Sequence, residues 1–333
     1  MVLPSSEHQP SKSLELGVAE DLLAPLGEIA AQQTYPPKSI TAHVAAQVAA
    51  HPARVAEISP TRVYELLTPP ICSKVPHLVL QWLRDTGLLA VLLPELDATV
   101  AFSQEADRKH KDVWEHTKAV VWQAVPRPAV RWAAVLHDIG KVTTRRFGKD
   151  GKVSFHGHAE DGVRMFRRGV TKRIGFPEEV RERVEVLVLH HLRPGHYETE
   201  WSDAAVRRFG REMEPWLRDL LDLSRADITS RRPGKRKRGL EMISELAKRI
   251  RALEESDTQQ KPLPPGLGNE LMTALGLPPG RHLGQLRARL ETLHEAGEIE
   301  GGQPAAYYVE LVKTRDLLVG IEIVPPRGFP KPD

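Results

Sequence analysis

Cysteine is nearly missing from this chain. Cys72 stands alone among 333 residues, which excludes an internal disulfide and fits a reducing compartment. Its neighbours Pro70, Ile71 and Ser73 make it a helix-entry residue rather than a catalytic thiol. No apolar run reaches the length of a membrane span, and the opening MVLPSSEHQP lacks the basic start and apolar stretch of a secretory leader. The expectation is a soluble, cytoplasmic protein with no membrane partner. Aromatic residues make up only 5% of the chain while proline occurs 27 times, a balance that points to helices joined by short rigid connections. Net charge is also low, at +3, but unevenly spread: basic residues crowd RMFRRGVTKR (164–173) and RRPGKRKR (231–238). Such blocks form either a solvated face or a track for a phosphate backbone.

What the chain does have is a 41% hydrophobic content, enough for real cores, arranged almost throughout at spacings of three and four. The pattern predicts an all-α fold. Residues 1–18 are polar and aperiodic and are expected to form a flexible arm. A helical unit follows, with Ser59 capping a helix opened by Pro60, and a further helix that stops at Gly87 and restarts before Pro94. VWEHTKAVVWQA, RWAAVLHDIG, HAEDGVRMFRRGV, PEEVRERVEVLVLHH and PWLRDLLDLSRADI predict the next helices. One small hairpin interrupts them, where RRFGKDGKVSFHG places a Gly-Lys-Asp-Gly turn between short alternating segments. Beyond Gly239 a charged amphipathic helix leads to KPLPPG and then to two short helices meeting at Pro-Pro-Gly.

The stretch WAAVLHDIGK (132–141) raises a physical problem. After an apolar run, His137 and Asp138 arrive side by side, and burying an imidazole and a carboxylate costs several kcal/mol unless they find partners. Neighbouring residues on a helix point about 100° apart and do not readily satisfy each other. Both can reach a common object beyond the helix end, where Gly140 is a natural terminator. A metal ion is such an object, if the rest of the chain supplies more ligands. It does: His116, His158, His190, His191 and Asp227 each sit on an element otherwise built for core packing.

The order H…HD…H…HH…D, across about residues 105–232, resembles the HD superfamily of metal-dependent phosphohydrolases. The resemblance implies one or two divalent transition-metal ions (Mn, Fe, Ni, Co or Zn), a set that mixed nitrogen and oxygen donors accommodate. It implies that His116, His137, Asp138 and Asp227 hold the first ion, and that Asp138 bridges to a second held by His158 and one of His190 or His191. Asp138 and Lys141 are the expected catalytic residues, Lys141 neutralising phosphoryl charge, with Arg145, Arg193, His156 and His196 on the substrate side. Asp112 or Glu160 is the expected orienting partner of the ligands. His110 reads as a surface histidine.

The flanks narrow the resemblance. ISPTRVYELL, LRDTGLLAVLLPEL, DVWEHT, HGHAEDGV and GNELMTALGLPPGRHLGQLRARLETLHEAGEI look like the neck, body and tail of bacterial CCA-adding tRNA nucleotidyltransferases that carry an HD domain, over about residues 20–312. This implies a neck-like domain at 19–100, an HD domain at 101–235, a helix and linker at 236–262, and a helical tail with an irregular C-terminus at 263–333. The family's nucleotidyltransferase head should precede the neck, where only a short arm stands, and in Glu20-Asp21-Leu22-Leu23 the following Ala24 occupies the place of the nucleotide-reading arginine. Nucleotide addition by this chain alone is therefore not expected. The activity implied is hydrolysis of 2′,3′-cyclic phosphates or phosphate monoesters of nucleotides or RNA ends, including a tRNA 3′ end, with Arg231, Arg232, Lys235, Arg236, Lys237 and Arg238 along the RNA. Two rivals remain: a non-catalytic RNA-binding partner of a separate nucleotidyltransferase, and an HD hydrolase of another nucleotide.

Overall fold

A computed structural model describes residues 19–105, 112–148, 153–230, 232–259 and 263–324. Its contacts divide into two units, residues 1–248 and 249–333. The first begins with the helices α1 (Ala24–Gln32), α2 (Lys38–Ala50), α3 (Pro52–Ala56), α4 (Pro60–Ile71), α5 (Pro76–Asp85), α6 (Leu88–Leu92) and α7 (Pro94–Glu105). Proline opens α3, α4, α5 and α7, because its missing N–H is one that a first helical turn leaves unpaired anyway. Ser59 caps α4 by accepting from the Arg62 N–H, and Gly87 turns the chain between α5 and α6 at φ +76°. Cys72 does not open a helix as expected: it closes α4, its N–H bonded to the Thr68 carbonyl, because the next helix starts only at Pro76. Burial pushes its thiol up, which keeps it inert.

The same unit continues with α8 (Val113–Gln123), α9 (Pro128–Leu136), α10 (Lys141–Thr144), the strands β1 (Arg146–Phe147) and β2 (Val153–Ser154), and α11 (His158–Met165). A π-helical turn (Phe166–Val170) leads to α12 (Thr171–Arg173) and α13 (Glu178–His190). A 3₁₀ turn (Arg193–His196), α14 (Asp203–Met213) and α15 (Leu217–Asp227) follow. The hairpin forms as expected, antiparallel with Arg146 opposite Ser154 and Phe147 opposite Val153. The turn at 149–152 lies outside the described residues. Helix α14 adds an element that the sequence reading passed over, although Ser202 caps it and Val206, Phe209, Gly210 and Met213 bury one face.

Helix α9 is the centre of the unit. All eight residues from Ala129 to Leu136 are buried, which is the pattern of a helix surrounded on every side. It packs against α8, α13 and α15, while α11 packs on α13. Residues 19–105 join this core without a break. The Trp132 indole N–H donates to Thr68 Oγ1 at 3.0 Å, and Phe176 meets Tyr64, Trp132 and Phe166 edge-on. Arg131, buried within α9, donates to the carbonyls of Val121 and Val125, and at 3.4 Å to Ile71. Two of these carbonyls belong to the last turns of α8 and α4, where no intrahelical donor exists.

Helix α16 (Pro233–Gln259) spans the boundary of the two units. The second unit contains α17 (Leu267–Leu275), α18 (Arg281–Glu295) and α19 (Ala305–Thr314), closed around Leu271, Leu286, Leu290, Tyr308 and Val312. The expected pair of tail helices is thus a trio, with α19 adding Tyr308 and Val312 to their core. No helix among the described residues is long and apolar enough to cross a membrane.

Candidate metal centre

Because α9 is wholly buried, the residues at its C-terminus enter the interior. His137 follows the last helical residue and Asp138 begins the next turn. The backbone at His137 is still helical, at φ −56° and ψ −31°, yet contrary to expectation the neighbours do meet: His137 Nε2 lies 3.3 Å from Asp138 Oδ2, both aimed at one point. Gly140 matters less as a terminator than as a gap. A Cβ at this position would stand 2.1 Å from the His158 carbonyl oxygen and 2.6 Å from the Gly162 N. The dyad's turn is therefore pressed directly against the start of α11, which carries His158.

The other donors also come from element ends. His116 lies in the first turn of α8, His158 opens α11, His191 follows α13, and Asp227 closes α15. They form two groups, His116 with His137 and Asp227, and Asp138 with His158 and His191. Asp138 connects them. Its Oδ2 faces His137 and the His116 Nε2, the latter at 3.5 Å, and its Oδ1 faces the His158 Nε2 at 3.5 Å. Asp227 Oδ1 lies 2.9 Å from His116 Nε2 and 3.7 Å from His137 Nε2.

Each imidazole is oriented through its far nitrogen. The Nδ1 of His137, His158 and His191 bonds the carbonyl three residues upstream, of Ala134, Phe155 and Val188, at 2.9, 2.8 and 2.7 Å. A carbonyl only accepts, so Nδ1 carries the proton in all three rings, leaving Nε2 toward the centre. His116 Nδ1 instead bonds the Thr229 hydroxyl at 2.8 Å. The expected orienting acids are employed elsewhere: Asp112 accepts from the Glu115 N–H to cap α8, and Glu160 is exposed. Thr229, two residues past Asp227, was visible in the sequence as a polar residue beside a ligand; backbone carbonyls carry no sequence signal.

This donor set fits a divalent cation. The Nε2 atoms of His158 and His191 are 3.3 Å apart, and burial, with His137 nearby, lowers the pKa of His191 to about 4. Burial likewise lowers His158. Two neutral rings then face each other lone pair to lone pair, a repulsive contact that a cation between them converts to attraction. Burial opposes charge on His137, yet Asp138 and Asp227 outweigh it and raise its pKa. Burial alone would raise both carboxyls, but His137, Lys141 and His116 hold Asp138 well below the usual range, and His116 and His137 hold Asp227 down. The centre thus offers lone pairs and carboxylates to positive charge, the condition for metal binding at neutral pH.

The remaining expected residues separate clearly. Lys141 Nζ is 2.6 Å from Asp138 Oδ2, at the centre. His196 lines a cavity of about 430 Å³ that also reaches His191 and Asp227. His190, half-buried, stands outside both groups of donors. Arg193 bonds Glu212 at 2.6 Å and lies over the Phe209 ring, which commits it to the protein wall. Arg145 lies over the Phe147 ring, and His156 is exposed in the turn before α11. Of the basic stretch 164–173, Arg164 pairs with Asp161, Arg167 with Glu185 and Arg173 with Glu95, as a structural face would. In the stretch 231–238, Lys235 and Arg238 line the cavity, Arg236 bonds Gln123 at 2.7 Å, Lys237 lies 3.7 Å from Glu241, and Arg232 is exposed. Arg231 and His110 lie outside the described residues.

The fold and donor set are those of a helical HD-type protein with residues placed to hold a divalent metal ion. In agreement, residues 113–232 match the HD domain, and residues 39–99 match the probable RNA- and SrmB-binding site of polymerase A. The chain therefore carries an HD domain preceded by a segment that matches this probable RNA-binding site. It is 36% identical over 243 residues to a CC-adding tRNA nucleotidyltransferase of Thermus thermophilus, covering 70% of this chain and 52% of that protein. It is 32% identical over 238 residues to an A-adding tRNA nucleotidyltransferase of Deinococcus radiodurans, covering 68% and 52%. A multifunctional CCA protein of Neisseria gonorrhoeae is 33% identical over 135 residues, covering 39% and 32%. The chain spans about half the length of the first two relatives, and its likeness to them lies in the neck and HD regions.

Proposed function

We propose that this protein is a metal-dependent phosphohydrolase that acts on 2′,3′-cyclic phosphates or phosphate monoesters at nucleotide or RNA ends, in the processing or repair of RNA such as tRNA. The observation that carries the reading is the convergence of His116, His137, His158 and His191 with two carboxylates, of which Asp138 presents one oxygen to each group. His116, His137, Asp138 and Asp227 hold one divalent ion, and Asp138, His158 and His191 a second. Such ions would supply Lewis acidity toward phosphoryl oxygens and toward a water. The chain's own groups do the rest. The Nδ1–H bonds keep the rings in the ligating tautomer, Lys141 balances charge on the phosphoryl side of Asp138, and the cavity beside His191 and Asp227 admits the nucleotide.

The RNA-binding neck match and the relatives' names favour an RNA substrate over a free signalling nucleotide or deoxynucleotide. A purely scaffolding role leaves the ligand set without a purpose. The test is a panel of phosphoesters offered to metal-loaded protein: 2′,3′-cyclic nucleotides, 2′- and 3′-monophosphates, cyclic-phosphate-ended RNA and deoxynucleoside triphosphates. Turnover of the cyclic or terminal phosphates, lost together with metal in Asp138→Ala, is the expected result. Metal-replete protein that hydrolyses none of them overturns the reading.

A further inference from the structure

Helix α16 leans over the open side of the metal centre, and two contacts hold it there. Gly239 lets it approach the segment after Asp227, since a Cβ at that position would already meet Ile228 Cδ1 at 3.0 Å. On the opposite wall, the Tyr197 hydroxyl donates to Glu245 Oε1 at 3.1 Å. Between them lies the cavity of about 430 Å³ bounded by His191, His196, Asp227, Lys235, Arg238 and Met242, among others. Its volume lies within the range of small-ligand sites, about 300–1,000 Å³.

The basic run at the start of α16 is divided by this geometry. Arg236 and Lys237 have protein partners, Gln123 and Glu241. Lys235 and Arg238, three residues apart and so on one helix face, line the cavity. Neither has an ion-pair partner among the described residues. Two uncommitted cations therefore stand in the same cavity as two metal ligands, and the wall between them includes the apolar side chains of Ile228, Met242 and Ile243. The metal centre accounts for one phosphate; these cations are further positive charge with no phosphate yet assigned to them.

Resting on the phosphohydrolase reading above, we infer that Lys235 and Arg238 grip a second phosphate of the substrate, one nucleotide away from the phosphate that reacts at the metal centre. The apolar wall carries the intervening nucleoside. Such a site selects a nucleotide that carries a further phosphate, an internucleotide linkage or a 5′-phosphate, over a nucleoside bearing the reacting phosphate alone. Lys235 and Arg238 are thus specificity-determining residues, whereas Arg236 and Lys237 are structural.

The experiment compares three substrates on metal-loaded protein: a nucleoside 2′,3′-cyclic phosphate, the same compound with a 5′-phosphate, and a dinucleotide ending in the cyclic phosphate. Binding of a fluorescent dinucleotide 3′-phosphate, with and without metal, gives a readout independent of turnover. The wild type is expected to prefer at least one of the two substrates bearing a second phosphate, and which of them wins shows the phosphate's source. In the Lys235→Ala/Arg238→Ala variant that preference should fall about tenfold or more, through KM rather than kcat. The salt dependence of dinucleotide binding should flatten in step. Arg236→Ala/Lys237→Ala should keep the wild-type preference. The inference is overturned if the wild type shows no preference, or if the cavity variant loses all three substrates equally. If no substrate turns over, the phosphohydrolase reading fails by itself, and unaltered dinucleotide binding by the cavity variant then overturns the second-phosphate site as well.

Discussion

The Nε2 atoms of His158 and His191 stand 3.3 Å apart although 33 residues separate them, and each ring is anchored on its far side by a backbone carbonyl. His190, adjacent in sequence, leaves α13 in a different direction and joins neither donor group. His191→Ala should therefore lower metal content sharply, whereas His190→Ala should keep it within about twofold, since a surface-side ring contributes no donor. Metal analysis of both purified variants checks this. Equal losses would return the histidine pair to ambiguity.

Thr229 supplies the only side chain among the Nδ1 partners of the four rings. Removing such an orienting group costs about 10–100-fold in metal affinity in sites of this kind. Thr229→Val, similar in size but without the hydroxyl, should bind metal more weakly by that order, and Thr229→Ser should restore it. A chelator competition titration measures both. Unchanged affinity in the valine variant would show that His116 is held by packing alone.

Much of this centre was legible because imidazoles and carboxylates are costly to bury. Helical periodicity placed His116, His137, His158 and Asp227 on core elements, and an imidazole beside a carboxylate behind Trp132 and Leu136 demanded a partner. What stayed hidden depends on how a helix ends. His190 and His191 share one sequence signal, and only the exit of the chain from α13 separates them. Likewise the run 231–238 reads as one block of charge, but at 3.6 residues per turn Lys235 and Arg238 face one wall and Arg236 and Lys237 others. Arg193 and Arg145 were expected near substrate on charge alone; the Phe209 face and Glu212 carboxylate that hold Arg193 are distant in sequence, and nothing in the pattern marks Phe147 as the ring beneath Arg145. The third tail helix was missed because AAYYVELVKT follows a glycine-rich bend that reads as the end of the unit.

Gly140 gives a prediction about how the two halves of the centre are joined. With φ −69° it needs no unusual backbone, so the strain in Gly140→Ala comes wholly from the Cβ meeting the His158 carbonyl and the Gly162 N. Overpacking of this kind costs about 1–3 kcal/mol, and here the atoms in the way are backbone and cannot rotate aside. The turn must move away from α11, which separates Asp138 from His158. The expected outcome is a lower urea midpoint together with reduced metal content, the loss falling first on the second ion. A variant as stable as the parent with full metal would show that the turn moves without disturbing either ligand.

Arg131 tests the frame rather than the centre. Its guanidinium is buried within α9 and donates to Val121, Val125 and Ile71, so it closes the ends of α8 and α4 in one place. Two effects oppose each other in Arg131→Met. Removing a buried charge, whose pKa burial already lowers, relieves a desolvation penalty. Leaving helix-end carbonyls without a donor costs about 1–3 kcal/mol for each that water does not reach. With three hydrogen bonds lost at a buried side chain, the second effect should win, giving a net loss of about 2 kcal/mol. Urea unfolding measures it. Because Arg131 lies nearly two helical turns before His137, metal content of the folded variant should stay near that of the parent. A more stable variant would mean that the buried charge costs more than its hydrogen bonds return, and that Met packs among the ends of α4 and α8 at least as well.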